Sequence, residues 1–86
     1  MEKRLDELTI GESGIIKSVG GEGAIRRRLF DMGVTPKADV FLSKKAPLGD
    51  PIEVTLRGYE LTLRKTEAQN VIVIVNDDKE NEEASK

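Results

Sequence analysis

The chain has 86 residues, which suits one domain, and its 14 Lys and Arg against 16 Asp and Glu give a net charge of −2. It contains no cysteine and no histidine, which excludes disulfides, a cysteine nucleophile, a Ser-His-Asp triad and a histidine general base. Zinc and copper lose their preferred ligands in such a chain, so a bound metal would rely on oxygen donors. We therefore predict that the protein is not an enzyme and uses no cofactor.

Hydropathy and charge also limit where the protein acts. The longest apolar run, 71–75, is far shorter than the roughly 20 residues of a membrane span, and no apolar segment follows the charged N-terminus. We expect a cytoplasmic protein that does not insert into the membrane. Residues 1–76, the predicted folded domain, hold 11 acids and 12 bases, too nearly neutral for a nucleic-acid partner. Residues 77–86 hold five acids and two bases, and we predict a disordered acidic tail there.

Short segments of β-forming or alternating residues predict five strands. The clearest alternation predicts a hairpin that turns at Arg57-Gly58, with Tyr59 on the inward face of its second strand. The last predicted strand is apolar on both faces, which favours a central place in the sheet or a barrel-closing one. The five predicted strands are 14–19, 39–44, 52–56, 59–64 and 71–75.

One helix is predicted over Ala24–Met32. Ile25, Leu29 and Met32 recur at the spacing of one helix face, and Gly33 suits the left-handed residue that ends a helix. Because this helix follows the first strand, the order favours an SH3-like barrel over an OB-fold. We therefore predict a mainly β protein, a small SH3-like barrel of about five strands with one short helix between the first and second strands.

Three consecutive arginines, Arg26 to Arg28, are the most unusual local feature of the chain. Successive helical residues are rotated by about 100°, so the three side chains spread over most of the helix surface. Arg28 lies beside the apolar face, where its stem can pack while its guanidinium meets a carbonyl or carboxylate. Arg26 and Arg27 are expected to be exposed, either as a solvated helix face or as a surface that docks a protein partner.

Two large apolar residues are further candidates for partner binding. Phe30 lies off the apolar helix face, so it either extends the core or contributes to an exposed apolar patch. Leu48 lies in a loop between two prolines, where it needs either packing or a partner. A patch at either residue could support weak self-association. We predict that Arg26, Arg27, Phe30 and Leu48 bind a partner, and we predict no catalytic, cofactor-binding or metal site.

Three segments carry distinctive patterns in a fixed order. Arg27–Pro36 contains Arg-Leu-x-x-Met-Gly, Ala46–Val54 contains Ala-Pro-Leu-x-Asp-Pro, and Arg57–Ala68 contains Leu-x-Leu-Arg-x-x-Glu-Ala. Together they resemble the FeoA family of bacterial ferrous-iron transport. The resemblance covers 5–75 and implies an SH3-like barrel, in agreement with the order of the predicted elements.

The resemblance implies a non-enzymatic cytoplasmic accessory protein of ferrous-iron uptake. Its partner would be the large ferrous-iron permease with a GTP-binding domain, whose cytoplasmic part it would bind to modulate transport. A related barrel in iron- and manganese-dependent repressors lends helix side chains to a metal site, but Arg26, Arg27 and Arg28 occupy the matching helix here and repel cations. The alternative function is a module that senses or binds Fe²⁺ and acts through a metal-dependent partner surface.

Overall fold

The structure of the protein is a computed structural model that describes residues 1–75. The five predicted strands and the predicted helix are all found, each with ends within one residue of those expected. The predicted tail, 77–86, and the predicted domain end at residue 76 lie outside the described residues. The elements are, in chain order, β1 (Glu2–Arg4), a 3₁₀ turn (Leu5–Glu7), β2 (Ser13–Val19), α1 (Gly23–Asp31), β3 (Asp39–Lys45), β4 (Ile52–Leu56), β5 (Tyr59–Leu63), α2 (Lys65–Ala68) and β6 (Val71–Ile74).

The six strands form one antiparallel sheet in the order β1-β6-β2-β3-β4-β5. Register shifts between Ile16 and Ser18 in β2 and between Leu42 and Lys44 in β3 mark β-bulges, which add local twist and bending. The 3₁₀ turn after β1 contacts α2 after β5, so the segments that follow the two edge strands meet. The mainly β fold, with its helix between the first two predicted strands, is confirmed, and β6 lies centrally between β1 and β2.

One apolar core lies inside the curled sheet and fixes helix α1. Leu29 is completely buried in this core, and Ile25 and Met32 pack beside it, so the predicted apolar helix face is confirmed. Burial of one such leucine contributes about 1.5–3 kcal/mol. Buried and more exposed positions alternate along the central strands β3 and β4, whose buried residues are Val40, Leu42, Ile52, Val54 and Leu56.

Helix α1 ends at a glycine, as predicted. Gly33 has a φ of 93°, which side chains disfavour. The Val34 amide donates to the Leu29 carbonyl and the Gly33 amide donates to the Phe30 carbonyl, each at 2.9 Å. These two hydrogen bonds form a Schellman motif, which satisfies carbonyls that the end of the helix would otherwise leave unpaired.

The β4–β5 hairpin turns at the predicted residues and keeps Tyr59 on the predicted face. Arg57 and Gly58 have φ values of 52° and 88°, as a type I′ turn requires. Tyr59 is the cross-strand partner of the buried Leu56, so it lies on the inward face, although 43% of the residue is exposed. Its hydroxyl donates to the Met32 carbonyl at the end of α1, an interaction that strand alternation cannot indicate.

Strand β1 is the one described strand that the sequence did not predict. Its three residues are all charged, so they carry no apolar alternation. The backbone of Glu2 to Arg4 pairs with β6, with Glu2 opposite Ile74 and Arg4 opposite Ile72. Charged side chains are common on edge strands because they discourage pairing with other chains. The strand therefore forms through tertiary pairing rather than through local propensity.

Candidate functional site

Helix α1 presents three of the four predicted partner-binding residues on its outer side. Its inner side packs on the core, so Arg26, Arg27 and Phe30 are exposed. Together with Gly23 and Asp31 they line a shallow depression of about 340 Å³. We call the surface formed by Arg26, Arg27 and Phe30 the α1 face.

Arg26 is exposed but held in one orientation. Its Nε donates to the Val19 carbonyl, at the end of β2, at 3.1 Å. Its guanidinium carbon lies 4.9 Å from the centre of the Phe30 ring, a distance typical of a cation–π contact. These two contacts order the side chain before any partner arrives, which lowers the entropy that binding would cost.

Phe30 lies at the surface, with 36% of the residue exposed. The alternative that it extends the core is therefore wrong, and it contributes to an exposed patch beside Arg26. Arg27 lies next to this patch, and none of the ion pairs within residues 1–75 involves it. The α1 face thus combines cationic groups with one aromatic ring.

Arg28 serves a structural purpose, as its place beside the apolar helix face predicted. Its Nε lies 3.0 Å from Oε2 of Glu67, so the ion pair joins α1 to α2. Oε1 of Glu67 also accepts a hydrogen bond from the Arg64 amide at 2.9 Å, which caps the start of α2. An exposed pair of this kind stabilises the fold by about 0–1 kcal/mol, and it fixes how α2 lies against α1.

Leu48 is separate from the α1 face. It is 91% exposed at the tip of the β3–β4 loop, so packing does not explain its apolar side chain. The loop is closed by a hydrogen bond from the Ala46 amide to the Pro51 carbonyl at 3.0 Å. Oδ1 of Asp50 accepts from the Lys65 amide at 2.9 Å, which ties the loop to the start of α2. Asp50 therefore has a structural partner.

The end of α1 is held by contacts that sequence reasoning missed. The Tyr59 hydroxyl reaches the Met32 carbonyl, and Nη2 of Arg57 donates to Oγ1 of Thr35 in the connection after α1. A Cβ atom on Gly33 would lie 2.5 Å from the Tyr59 hydroxyl, so the approach requires glycine. The β4–β5 hairpin thus positions the helix that carries the α1 face. In the sequence, Gly33 signalled where α1 ends, but nothing signalled the contacts of Tyr59 and Arg57 with this end of the helix.

Within 1–75, no three or more His, Cys, Asp or Glu side chains lie together as metal ligands would. In the same part of the chain, no helix has the length and apolar character needed to cross a membrane.

The fold and this surface define a class of protein: a small SH3-like β-barrel that presents an exposed cationic helix. The model of the FeoA domain family matches residues 3–75, which is nearly the whole described part of the chain. The chain therefore belongs to the FeoA family, a family of small proteins associated with Fe²⁺ transport rather than known as enzymes.

Three relatives place the chain within this family. An "Fe(2+) transport protein A/Fe(2+) transporter FeoB fusion protein" of Porphyromonas gingivalis is 33% identical over 70 residues, which are 81% of this chain and 8% of that protein's length. The FeoA-like protein of Clostridium acetobutylicum is 38% identical with a TM-score of 0.80, covering 86% of each chain. The zinc complex of Stenotrophomonas maltophilia FeoA, described as a prokaryotic SH3 domain protein, is 30% identical with a TM-score of 0.69, covering 91% of this chain and 92% of that one. The predicted SH3-like barrel is confirmed.

Proposed function

We propose that this chain is a cytoplasmic accessory protein of bacterial ferrous-iron uptake, which binds the cytoplasmic part of the GTP-binding ferrous-iron permease and modulates transport. The observation that carries the proposal is the Porphyromonas gingivalis relative, in which transport protein A and the transporter FeoB are one polypeptide. Fusion holds two modules at high effective concentration, which benefits modules that contact each other.

We propose that the α1 face is the principal docking surface. Arginine and exposed aromatic residues are the types most enriched at binding hot spots, and Arg26 and Phe30 are already ordered by their mutual contact. The cationic side chains suit an acidic surface on the partner, which would also accelerate association. Leu48 supplies a second, apolar contact from the β3–β4 loop, tied to α2 through Asp50.

The alternative function, direct Fe²⁺ sensing, has less support. Zinc binding belongs to the Stenotrophomonas maltophilia protein. In residues 1–75 of this chain, no cluster of three or more ligating side chains was found. The helix that would lend ligands to a metal instead carries Arg26, Arg27 and Arg28, which repel cations. We therefore do not propose Fe²⁺ sensing as the function.

An NMR titration tests the proposal. The ¹⁵N-labelled chain is titrated with the isolated GTP-binding part of the permease, loaded with GDP and, separately, with a non-hydrolysable GTP analogue. We expect amide shifts that cluster on 24–32 and 46–51. The absence of shifts in both nucleotide states, at partner concentrations well above that of the chain, would contradict direct docking on this part of the permease.

A further inference from the structure

A groove lined by both polar and apolar residues lies on the outer face of the sheet, and none of its lining residues belongs to α1. Ile15, Phe41 and Ile74 project outward there and are each 41–43% exposed. Ile15 is the direct cross-strand neighbour of Ile74, and Phe41 lies on the other side of β2, opposite Ser13. We call this depression of about 460 Å³ the outer groove.

The outer groove has an acidic rim. Asp39 is the cross-strand neighbour of Ile15, and Glu12 lines the groove beside it. Glu12 is paired with Lys3 at 3.0 Å, whereas none of the ion pairs within residues 1–75 neutralises Asp39. The apolar floor of the groove thus adjoins an uncompensated carboxylate.

The acidic rim continues onto β4 and β5. Phe41, Thr55 and Glu60 are successive cross-strand partners, so one row leads from the groove to Glu60. A hydrogen bond and charge repulsion from Glu53 raise the pKa of Glu60 above its ordinary value. Lys44 opposes this shift, and a further cationic group placed here would relieve the repulsion.

This charge decides which ligands fit the outer groove. Nucleic-acid phosphates and anionic lipids would meet carboxylates, and a second copy of the chain would bring an identical acidic rim against the first. Residues 77–86, with five acids and two bases, carry a net charge of the same sign as the rim. The groove therefore suits a ligand that combines apolar and cationic groups.

We propose that the outer groove binds a polypeptide segment in which apolar residues alternate with Lys or Arg, and that this segment belongs to the permease beside its membrane-spanning helices. Cytoplasmic segments in that place are rich in Lys and Arg and adjoin apolar sequence. The apolar side chains contact Ile15, Phe41 and Ile74, while the cationic ones contact Asp39 and Glu60. The origin of the segment rests on the proposed function, whereas its chemistry rests on the groove alone.

Fluorine NMR separates the two surfaces, because the chain has two phenylalanines, Phe30 on the α1 face and Phe41 in the outer groove. The full chain labelled with fluorinated phenylalanine is titrated with the synthetic peptide KLKVKLK. We expect the Phe41 signal to shift and the Phe30 signal to stay. The peptides ELEVELE and KGKGKGK, which lack the cationic or the apolar groups, are expected to shift neither. An equal response to ELEVELE, or no response to KLKVKLK, would overturn the assignment of the groove.

Variants then locate the peptide. Phe41→Thr keeps a strand-forming residue at an outward position, and we expect at least a tenfold loss of affinity for dye-labelled KLKVKLK, about 1.4 kcal/mol. Asp39→Asn should weaken binding about threefold, in keeping with one rim charge. Ile10→Thr, the matched apolar-to-polar change at an exposed residue that does not line the groove, should leave the affinity unchanged. Unchanged affinity in both groove variants would overturn the proposal.

Competition identifies the source of the segment. We expect the whole permease in nanodiscs to displace dye-labelled KLKVKLK from the chain, while its isolated GTP-binding part shifts the Phe30 signal without displacing the peptide. Failure of the whole permease to displace the peptide, with the Phe30 shift intact, would overturn this inference and leave the proposed function standing. If the Phe30 signal stays unshifted although the peptide is displaced, docking on the α1 face is wrong and the groove assignment stands.

Discussion

The α1 face and the outer groove are formed in different ways by the same small barrel. The α1 face comes from one continuous segment, in which a helix buries Leu29 and thereby displays its arginines. The outer groove is assembled from four strands, β2, β3, β4 and β6, and its rim is acidic rather than basic. The two surfaces therefore suit partners of opposite charge, and each can be altered with little effect on the other.

The largest expected effect comes from removing the anchor of α1. Leu29→Ala leaves a cavity in the core and should lower the free energy of unfolding by about 3 kcal/mol. Urea denaturation followed by circular dichroism measures this change. Leu48→Ala, the matched truncation at an exposed site, should change the stability by less than about 0.5 kcal/mol. Similar losses in the two variants would mean that Leu29 does not anchor the helix.

A glycine beneath the outer groove should come next. A Cβ atom on Gly14 would lie 2.5 Å from the Ile74 carbonyl oxygen and equally close to the Val73 side chain. Gly14→Ala should therefore cost about 2 kcal/mol and distort the groove, because the β2–β6 backbone must move. Gly23→Ala, at the start of α1 with open space around its Cβ, should instead stabilise the fold by about 0.5–1 kcal/mol. Thermal unfolding distinguishes the two directions of change.

The sequence predicted those features of the fold and of the α1 face that depend on residues close together in the chain. The periodicity of α1, the Gly33 stop and the Arg57-Gly58 turn are properties of short segments, and the structure has all three. The exposure of Arg26 followed from the same periodicity. The fixed orientation of the Arg26 side chain did not follow from it, because that orientation depends on a hydrogen bond to the Val19 carbonyl in another element.

The features that the sequence did not predict all depend on pairing between distant segments. All three residues of strand β1 are charged, and the strand forms because its backbone pairs with β6. The Tyr59 hydroxyl donates to the Met32 carbonyl because the pairing of β4 with β5 brings Tyr59 to the end of α1. The outer groove needs Ile15 and Phe41 to become neighbours, which only the strand order establishes.

A smaller effect should follow from loosening the end of α1. Tyr59→Phe removes the hydroxyl that donates to the Met32 carbonyl and should cost about 1 kcal/mol. We expect affinity for the GTP-binding part to fall a few-fold, since the α1 face is less well positioned, while KLKVKLK binding stays unchanged. Isothermal titration calorimetry of both ligands gives the comparison. An equal loss for both ligands would show that the two surfaces are coupled.

The smallest effect concerns the carboxylate pair beside the outer groove. The pKa of Glu60 is raised in the folded protein by a hydrogen bond and charge repulsion from Glu53, so the ionised form of Glu60 opposes folding above that raised pKa. Glu60→Gln should therefore raise the melting temperature slightly at neutral pH, and the gain should vanish as the pH falls through the raised pKa and Glu60 becomes protonated. Melting curves at neutral and acidic pH test this sign, and a gain that grows toward low pH would contradict it.

The most direct measurement compares two charge reversals in binding to the GTP-binding part of the permease. Arg27→Glu alters the α1 face, whereas Lys17→Glu makes the same change in charge at an exposed position of β2. Calorimetric titration should show a loss of at least about tenfold for Arg27→Glu and little change for Lys17→Glu, with both variants folded. Equal affinities for the two variants would contradict the claim that the α1 face docks the permease.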